Sequence, residues 1–427
     1  MADPIQLPSD IELKDVTLVL GTGQKVDITD LVFEISIYEA LDQASTYGRV
    51  VVVDATGIIT RANISGQEIF MFTVKKMDGE EEHLYHISKI EQVDVVSQTT
   101  TQYTFSFIER SYVIDSMSLV SQAYEGTVDS TIKQIYKDYL AEEFLEEPDE
   151  CSGNYRFVIP NWNPLKAIKW LSQRAVDSNG VPVIFFKSFR RGPRLLSYDT
   201  MFNSDFVQEY FVNQTPTKEA AIEGNQSDYI GILSKPQTFG ILQHGNALNQ
   251  IRNGTFSQTA INVDTTRKGV MTLEFKDNFE KSPRLNKNLP ITEDVKYGPE
   301  NKNIRELFKT KQTIHYSQGA NFGEQFLNYN SVTNEIITSE NNYRGMLGTY
   351  VYEMAVHGRF DLEPGRLVNI VFPSNIVQNE QDPEKNIDNK RSGKHLILAC
   401  QHSFKRNKYT VVLEVATDGF GEEYGSE

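Results

Sequence analysis

Cysteine is almost missing from this chain of 427 residues, at Cys151 and Cys400 only. Two thiols without CxxC spacing exclude a disulfide framework and a cysteine-built metal knuckle. They imply assembly in a reducing compartment, with no bond between them. Tryptophan is as scarce, at Trp162 and Trp170. Basic charge is short: 42 Lys and Arg stand against 58 Asp and Glu, a net charge of −16. A nucleic-acid binder needs clustered cations to neutralise phosphates, so stable DNA or RNA binding is excluded as the main activity. No stretch approaches the ~18 apolar residues of a membrane span, so no stable membrane insertion is expected. The start "MADPIQLPSD" has neither a basic region nor an apolar stretch, so no secretory leader is expected there.

Catalytic motifs are missing too. Gly21 and Gly23 begin a GxG, but position 26 is Val and no helical pattern follows. GxxxxGK[ST], HExxH and GxSxG do not occur. His83 and His86, three apart on a strand, point to opposite faces and read as structural. His395 and His402 lie seven apart with no carboxylate at ligand spacing. Glu142, Glu143, Glu146, Glu147, Asp149 and Glu150 offer carboxylates for a glycosidase pair, but so many packed acids read as a solvated face. "SFRRGPR", residues 188–194, is the one basic cluster, and it reads as a hairpin tip before it reads as a nucleic-acid contact. N-x-[ST] triplets at Asn63, Asn213, Asn225 and Asn253 carry no meaning without secretion. No catalytic, cofactor-binding or metal-binding residue is assigned, no cofactor is expected, and the chain does not read as an enzyme.

What is present is strand after strand. Residues 11–20, 31–38, 49–54, 68–76, 83–95 and 101–113 carry strand patterns with turn signals between them. Phe33, Ile35 and Ile37 alternate with polar neighbours, whereas Val50 to Val53 run unbroken, as in a strand covered on both faces or facing another chain. "STIKQIYKDYL" then places Ile132, Ile135, Tyr136, Tyr139 and Leu140 on one helical stripe, with Asp129 or Ser130 as cap. A second helix starts at Asn163-Pro164, buries Leu165, Ile168, Leu171 and Ala175, and stops at Asn179-Gly180. The buried strand "VPVIFF" follows it. A short helix near Leu248 and Ile251 ends at Gly254, and "TFSQTAINVD" and "GVMTLEF" form a strand pair. Residues 278–342 are polar, Asn-rich and weakly periodic. In the last block Leu362-Glu363-Pro364-Gly365 forms a type II turn with positive φ at Gly365, and "HLILACQHSF" and "YTVVLEVATDG" close the chain as strands. The fold class is mainly β with an α+β insertion.

Several stretches together resemble the central baseplate hub proteins of contractile-tailed bacteriophages, which are related to the hub modules of other contractile injection machines. "FEISIYEALDQASTYGRVVVVDATGII" resembles that family's first barrel, and "FVIPNWNPLKAIKWLSQRAV" with "VPVIFF" its insertion. "NQIRNGTFSQTAINVDTTRK" is similar to the segment opening its second barrel. "LEPGRLVNIVFPS" and "HLILACQHSFKRNKYTVVLEVATDG" are similar to its closing strands. The likeness does not extend over residues 278–342 or 374–393. It implies two tail-tube-like antiparallel β-barrels per chain: a first barrel at 1–116, and a second begun at 226–277 and completed at 338–420. An α+β insertion at 117–225 is completed by 278–337, and 421–427 form a tail. It further implies a non-enzymatic virion protein, assembled in the host cytoplasm as a homotrimer, whose ring joins a sixfold tail tube to a threefold central spike. Its implied partners are the spike below and a tail-tube or tube-initiator protein above. Tape-measure and surrounding baseplate wedge proteins are further expected neighbours. Phage DNA only passes through the lumen, where acidic walls would keep it from sticking. Two competing readings are a tail-associated cell-wall hydrolase and a receptor- or carbohydrate-binding tail protein. The first lacks an acid pair in an apolar pocket, and the second lacks clustered tryptophan outside the insertion.

Overall fold

A computed structural model describes residues 10–76, 79–212, 233–264, 268–277, 283–286, 294–309, 311–316, 322–324, 332–374, 387–388, 391–419 and 421. Asn213, Asn225 and most of the 374–393 loop lie outside these. The first half of the chain forms β1 (Glu12–Val19), β2 (Lys25–Asp27), β3 (Val32–Ala40), β4 (Tyr47–Asp54), β5 (Ile69–Lys76), β6 (Gly79–Val95) and β7 (Thr101–Ile108). They lie side by side as β3-β4-β7-β6-β5-β1-β2, each pair antiparallel. Alternation selects the inner face: Ile35, Ile37, Phe70, Phe72, Phe105 and Phe107 are wholly buried. Phe33 departs from the pattern and is 59% exposed, because a bulge between Val32 and Glu34 breaks the register with β4. The valine run resolves in the same way. Val50 and Val52 are buried, and Val51 and Val53 are half-buried on the outer face, opposite Thr104 and Gln102 of β7. β4 is thus an alternating strand whose outer face happens to be apolar.

Six more strands belong to the same sheet: β12 (Phe206–Phe211), β13 (Thr238–His244), β18 (Tyr350–His357), β19 (Leu367–Val371), β20 (Gly393–Lys405) and β21 (Lys408–Thr417). They join at β20, whose residues Ala399–Phe404 run antiparallel to Ile35–Ala40 of β3. The result is one sheet of 13 strands, ordered β13-β18-β21-β20-β3-β4-β7-β6-β5-β1-β2, with β19 and β12 branching from β20. The mainly β, antiparallel expectation holds. Closure into barrels is not seen among the described residues, because β3 gives its second edge to β20 and not to β1. The far end does curl round: Asp10 bridges Lys408 at the β20–β21 turn. One apolar cluster serves both halves, and Phe72 meets Phe404 at 6.3 Å between ring centres.

The α+β segment packs around a second cluster. β8 (Val120–Gly126) pairs with β9 (Tyr155–Trp162), and β17 (Phe322–Glu324) adds to β9 from the distant 278–337 segment. β10 (Val183–Ser188) and β11 (Gly192–Ser197) form a hairpin, and every residue of β10 is buried. The helix Val128–Leu140 buries Ile132, Ile135, Tyr136 and Leu140, but Asp129 does not cap it; its Oδ1 accepts from the Cys151 amide at 3.1 Å. The helix Pro164–Ser172 begins where expected, with a different cap. Asn163 turns its amide to the Asp115 carbonyl, and Asp115 Oδ1 accepts from Leu165 N at 2.7 Å. This helix ends before Asn179-Gly180, which instead closes a turn onto Asp177. β14 (Ser257–Asp264), β15 (Gly269–Lys276) and β16 (Gln312–Tyr316) make a separate three-stranded sheet. The strands expected to open a second barrel therefore lie outside the central sheet. The helix Ala247–Asn253 ends at Gly254 with φ +66, as the sequence indicates.

Gly365 holds φ +82 as expected, and Arg366 N donates to Glu363 O at 3.3 Å, so the turn spans Glu363 to Arg366, one residue later than the sequence suggests. A Cβ here would meet Phe186 Cζ at 3.0 Å. Left-handed strain at a β-branched residue costs ~1–2 kcal/mol, and the crowding against Phe186 adds to it. Gly365→Val is expected to lose more than that range in urea unfolding; a loss within error would mean that the turn is held otherwise.

Candidate functional site

Three parts of the chain meet at one buried carboxylate. Glu39, at the inner face of β3 and 2% exposed, places Oε1 at 2.9 Å from His402 Nε2 on β20. Its Oε2 accepts the backbone N–H of Phe189 at the tip of the β10–β11 hairpin. His402 Nδ1 is 2.7 Å from the Tyr409 hydroxyl on β21, and that hydroxyl donates to the Arg359 carbonyl at 3.1 Å. Tyr409 thus ties the His402 ring to the Arg359 backbone. Cys400 sits two residues before His402 on the same face and directly opposite Glu39 in register. The carboxylate missing from the neighbourhood of His395 and His402 in sequence is thus supplied to His402 by β3. The separation of 363 residues explains why no spacing rule finds it.

A second buried charge locks the hairpin from its other side. Lys187 is 5% exposed, with Nζ 2.8 Å from Glu109 Oε2, 2.7 Å from Glu142 Oε2 and 3.0 Å from Ser111 Oγ. Burial by itself would push the ammonium down, but Glu109, Tyr136 and Glu142 outweigh it and hold Lys187 above its ordinary value. The basic run is indeed a hairpin, and its arginines meet carboxylates, Arg190 from an exposed position. Arg191 reaches Glu363 at 2.8 Å and Glu146 at 3.4 Å, Arg194 pairs with Glu146, and Arg190 lies 3.7 Å from Glu81. The acidic run is correspondingly more than a solvated face. Glu142 holds Lys187, Glu146 holds two arginines, and Asp149 Oδ2 accepts from Ser197 N at 2.7 Å. The hydrogen bond from Arg194 is the leading cause that lowers Glu146 below the usual carboxylate value.

The other three histidines singled out in the sequence, His83, His86 and His395, are not brought to this cluster. His83 stacks on Phe189 at 4.5 Å and on Phe72 at 5.0 Å, and burial pushes it down to about 4. His86 is lowered first by burial and then by Arg110. His395 is wholly buried and lies 5.6 Å from Tyr352; its Nδ1 meets the Gly393 carbonyl at 2.8 Å, while burial pushes it down to about 4. Trp162 and Trp170 meet edge-on at 5.5 Å, partly buried against the insertion cluster, so they do not form an open sugar platform. Cys151 and Cys400 are free thiols in separate clusters. Among the described residues no helix is long and apolar enough to cross a membrane.

No protein-family model and no curated protein matches the chain. Solved structures do. A tail protein from Neisseria meningitidis MC58 superposes with a TM-score of 0.55 at 11% identity, covering 97% of this chain and 100% of that one. The chain shares the fold of that tail protein. The 43 kDa tail protein of prophage MuSo2 from Shewanella oneidensis agrees, with a TM-score of 0.50 at 10% identity over 95% of this chain and 98% of its own. At such identities the likeness establishes the fold alone.

Two outcomes are expected from these charges. Lys187→Met leaves Glu109 and Glu142 facing each other without a cation, and should cost about 3–5 kcal/mol in chemical denaturation. The folded value of His395, about 4, lies below its ordinary 6.5. The unfolded chain therefore takes the proton first, and the stability tied to the neutral ring is complete above pH 6.5 and lost as pH falls towards 4. His395→Phe should weaken the acid dependence of the unfolding free energy in that window, by at most about 1.4 kcal/mol per pH unit. Parallel curves for the two proteins would show that His395 is solvated.

Proposed function

We propose that the chain is a central hub subunit of a phage-tail baseplate, three copies closing into a ring that joins a sixfold tail tube to a threefold spike. The observation that supports this reading best is the chain-long agreement in fold with a tail protein, 97% of this chain against 100% of that one. The joined sheet suits the task. Two sheet halves fixed together at β3–β20 give three chains six comparable halves, the number a sixfold tube requires. Open surface also asks for a neighbour. β13 is an edge strand with Ile241 57% and Leu242 56% exposed, and Val51 and Val53 add apolar area on the outer face of β4. Unpaired apolar edges invite non-specific pairing unless an assembly covers them.

In this reading the role is structural and non-catalytic. The spike lies below, a tube or tube-initiator protein above, and tape-measure and wedge proteins around. The net charge of −16 suits a channel that DNA passes without binding. The first barrel-like unit ends near residue 116, where the α+β segment begins.

Light scattering tests the ring, with circular dichroism as the control for folding. Wild type is expected to be a trimer, alone or on mixing with its spike. Val51→Asp, Val53→Asp and Leu242→Asp are expected to weaken assembly at least tenfold while keeping the native spectrum, since burying each apolar side chain is worth ~1.5–3 kcal/mol. A wild type that stays monomeric at every concentration and with its spike would sink the proposal, and trimeric variants would move the boundary elsewhere. Hydrolysis of peptidoglycan, lost on changing one carboxylate, would overturn the non-catalytic reading.

A further inference from the structure

We propose that Glu39, Cys400 and His402 bind one zinc ion, which pins the two halves of the central sheet together. The proposal is independent of the hub reading. The donor set is a carboxylate, a thiol and an imidazole, the combination that suits tetrahedral Zn²⁺. Cys400 and His402 share the inner face of β20, and Glu39 stands opposite Cys400 on β3. Their donor atoms all lie within 4.8 Å of one another. Ligand bonds of about 2.0–2.3 Å call for donor separations of roughly 3.3–3.8 Å, so the ion can be admitted by small side-chain adjustments.

The hydrogen bonds around the cluster favour a cation. When Nδ1 carries the ring proton and donates to Tyr409, 2.7 Å away, the Nε2 lone pair 2.9 Å from Glu39 Oε1 is free to take a metal ion. A metal ion there replaces the ring proton that otherwise bridges Nε2 and the carboxylate. The outer contacts are those of a ligand set. Tyr409 orients the imidazole, and the Phe189 amide holds the second oxygen of Glu39. Two anionic ligands and a neutral imidazole around Zn²⁺ leave no net charge in a site whose three residues are each 3% exposed or less. Binding replaces the thiol proton of Cys400 with the metal and releases that proton to solvent, so affinity should rise with pH.

The test uses the full chain. Protein equilibrated with zinc and then desalted is expected to retain roughly one zinc per chain. X-ray absorption on the wild type should show a single sulfur neighbour at about 2.3 Å, with nitrogen and oxygen near 2.0 Å. The cobalt form should display a thiolate-to-cobalt charge-transfer band that survives Cys151→Ser and disappears in Cys400→Ser. Chelation should lower the melting temperature of the wild type. No retained zinc, bound zinc without a sulfur neighbour, or a band that persists in Cys400→Ser would overturn the proposal. The absorption measurement needs no variant, so it decides the matter even if Cys400→Ser fails to fold.

Discussion

A carboxylate shut away from water must be met by hydrogen-bond donors or by positive charge, and Glu39 meets this demand by drawing in three separate parts of the chain. Its partners are His402 from the second half of the sheet and the Phe189 amide from the inserted hairpin. The pairing of β3 with β20 follows the same line, since it sets Glu39 opposite Cys400 and beside His402. Much of the architecture depends on this contact. If β3 slipped by one residue, Glu39 would leave the inner face and Ile35 and Ile37 would leave the core with it.

Charge is used internally to an unusual degree for a chain with so many acids. The hairpin β10–β11 is buried along one whole strand, yet it carries Lys187, Arg191 and Arg194. Each is matched by a carboxylate from elsewhere: Glu109 and Glu142 for Lys187, Glu363 for Arg191, and Glu146 for both arginines. Such pairs add modest net stability, but each is costly to leave half-made. They fix where the hairpin lies, between the α+β segment and the central sheet. That geometry ties together segments that have separate apolar clusters.

Much of the fold was legible in the sequence because it rests on local rules. Period-two alternation located the strands of the first half, with Phe105 and Phe107 inward, and the helical stripe of Ile132, Ile135, Tyr136 and Leu140 was buried as read. Gly254 and Gly365 took positive φ, which glycine adopts at no steric cost. Errors came where a distant group intervened. Asp115 capped the helix that Asn163 was expected to cap, and a bulge turned Phe33 outward.

By itself the sequence determined the fold class, the order of strands and helices, and the lack of any short catalytic motif, since each depends on residues within a few positions of one another. Only the tertiary structure decided that the two β-rich halves share one sheet and one core. It also decided that the acidic run grips the basic hairpin, and that Glu39 joins Cys400 and His402. These contacts link residues about 50 to 360 positions apart, and such pairings are fixed by register and burial in the folded chain, for which a linear pattern carries no signal.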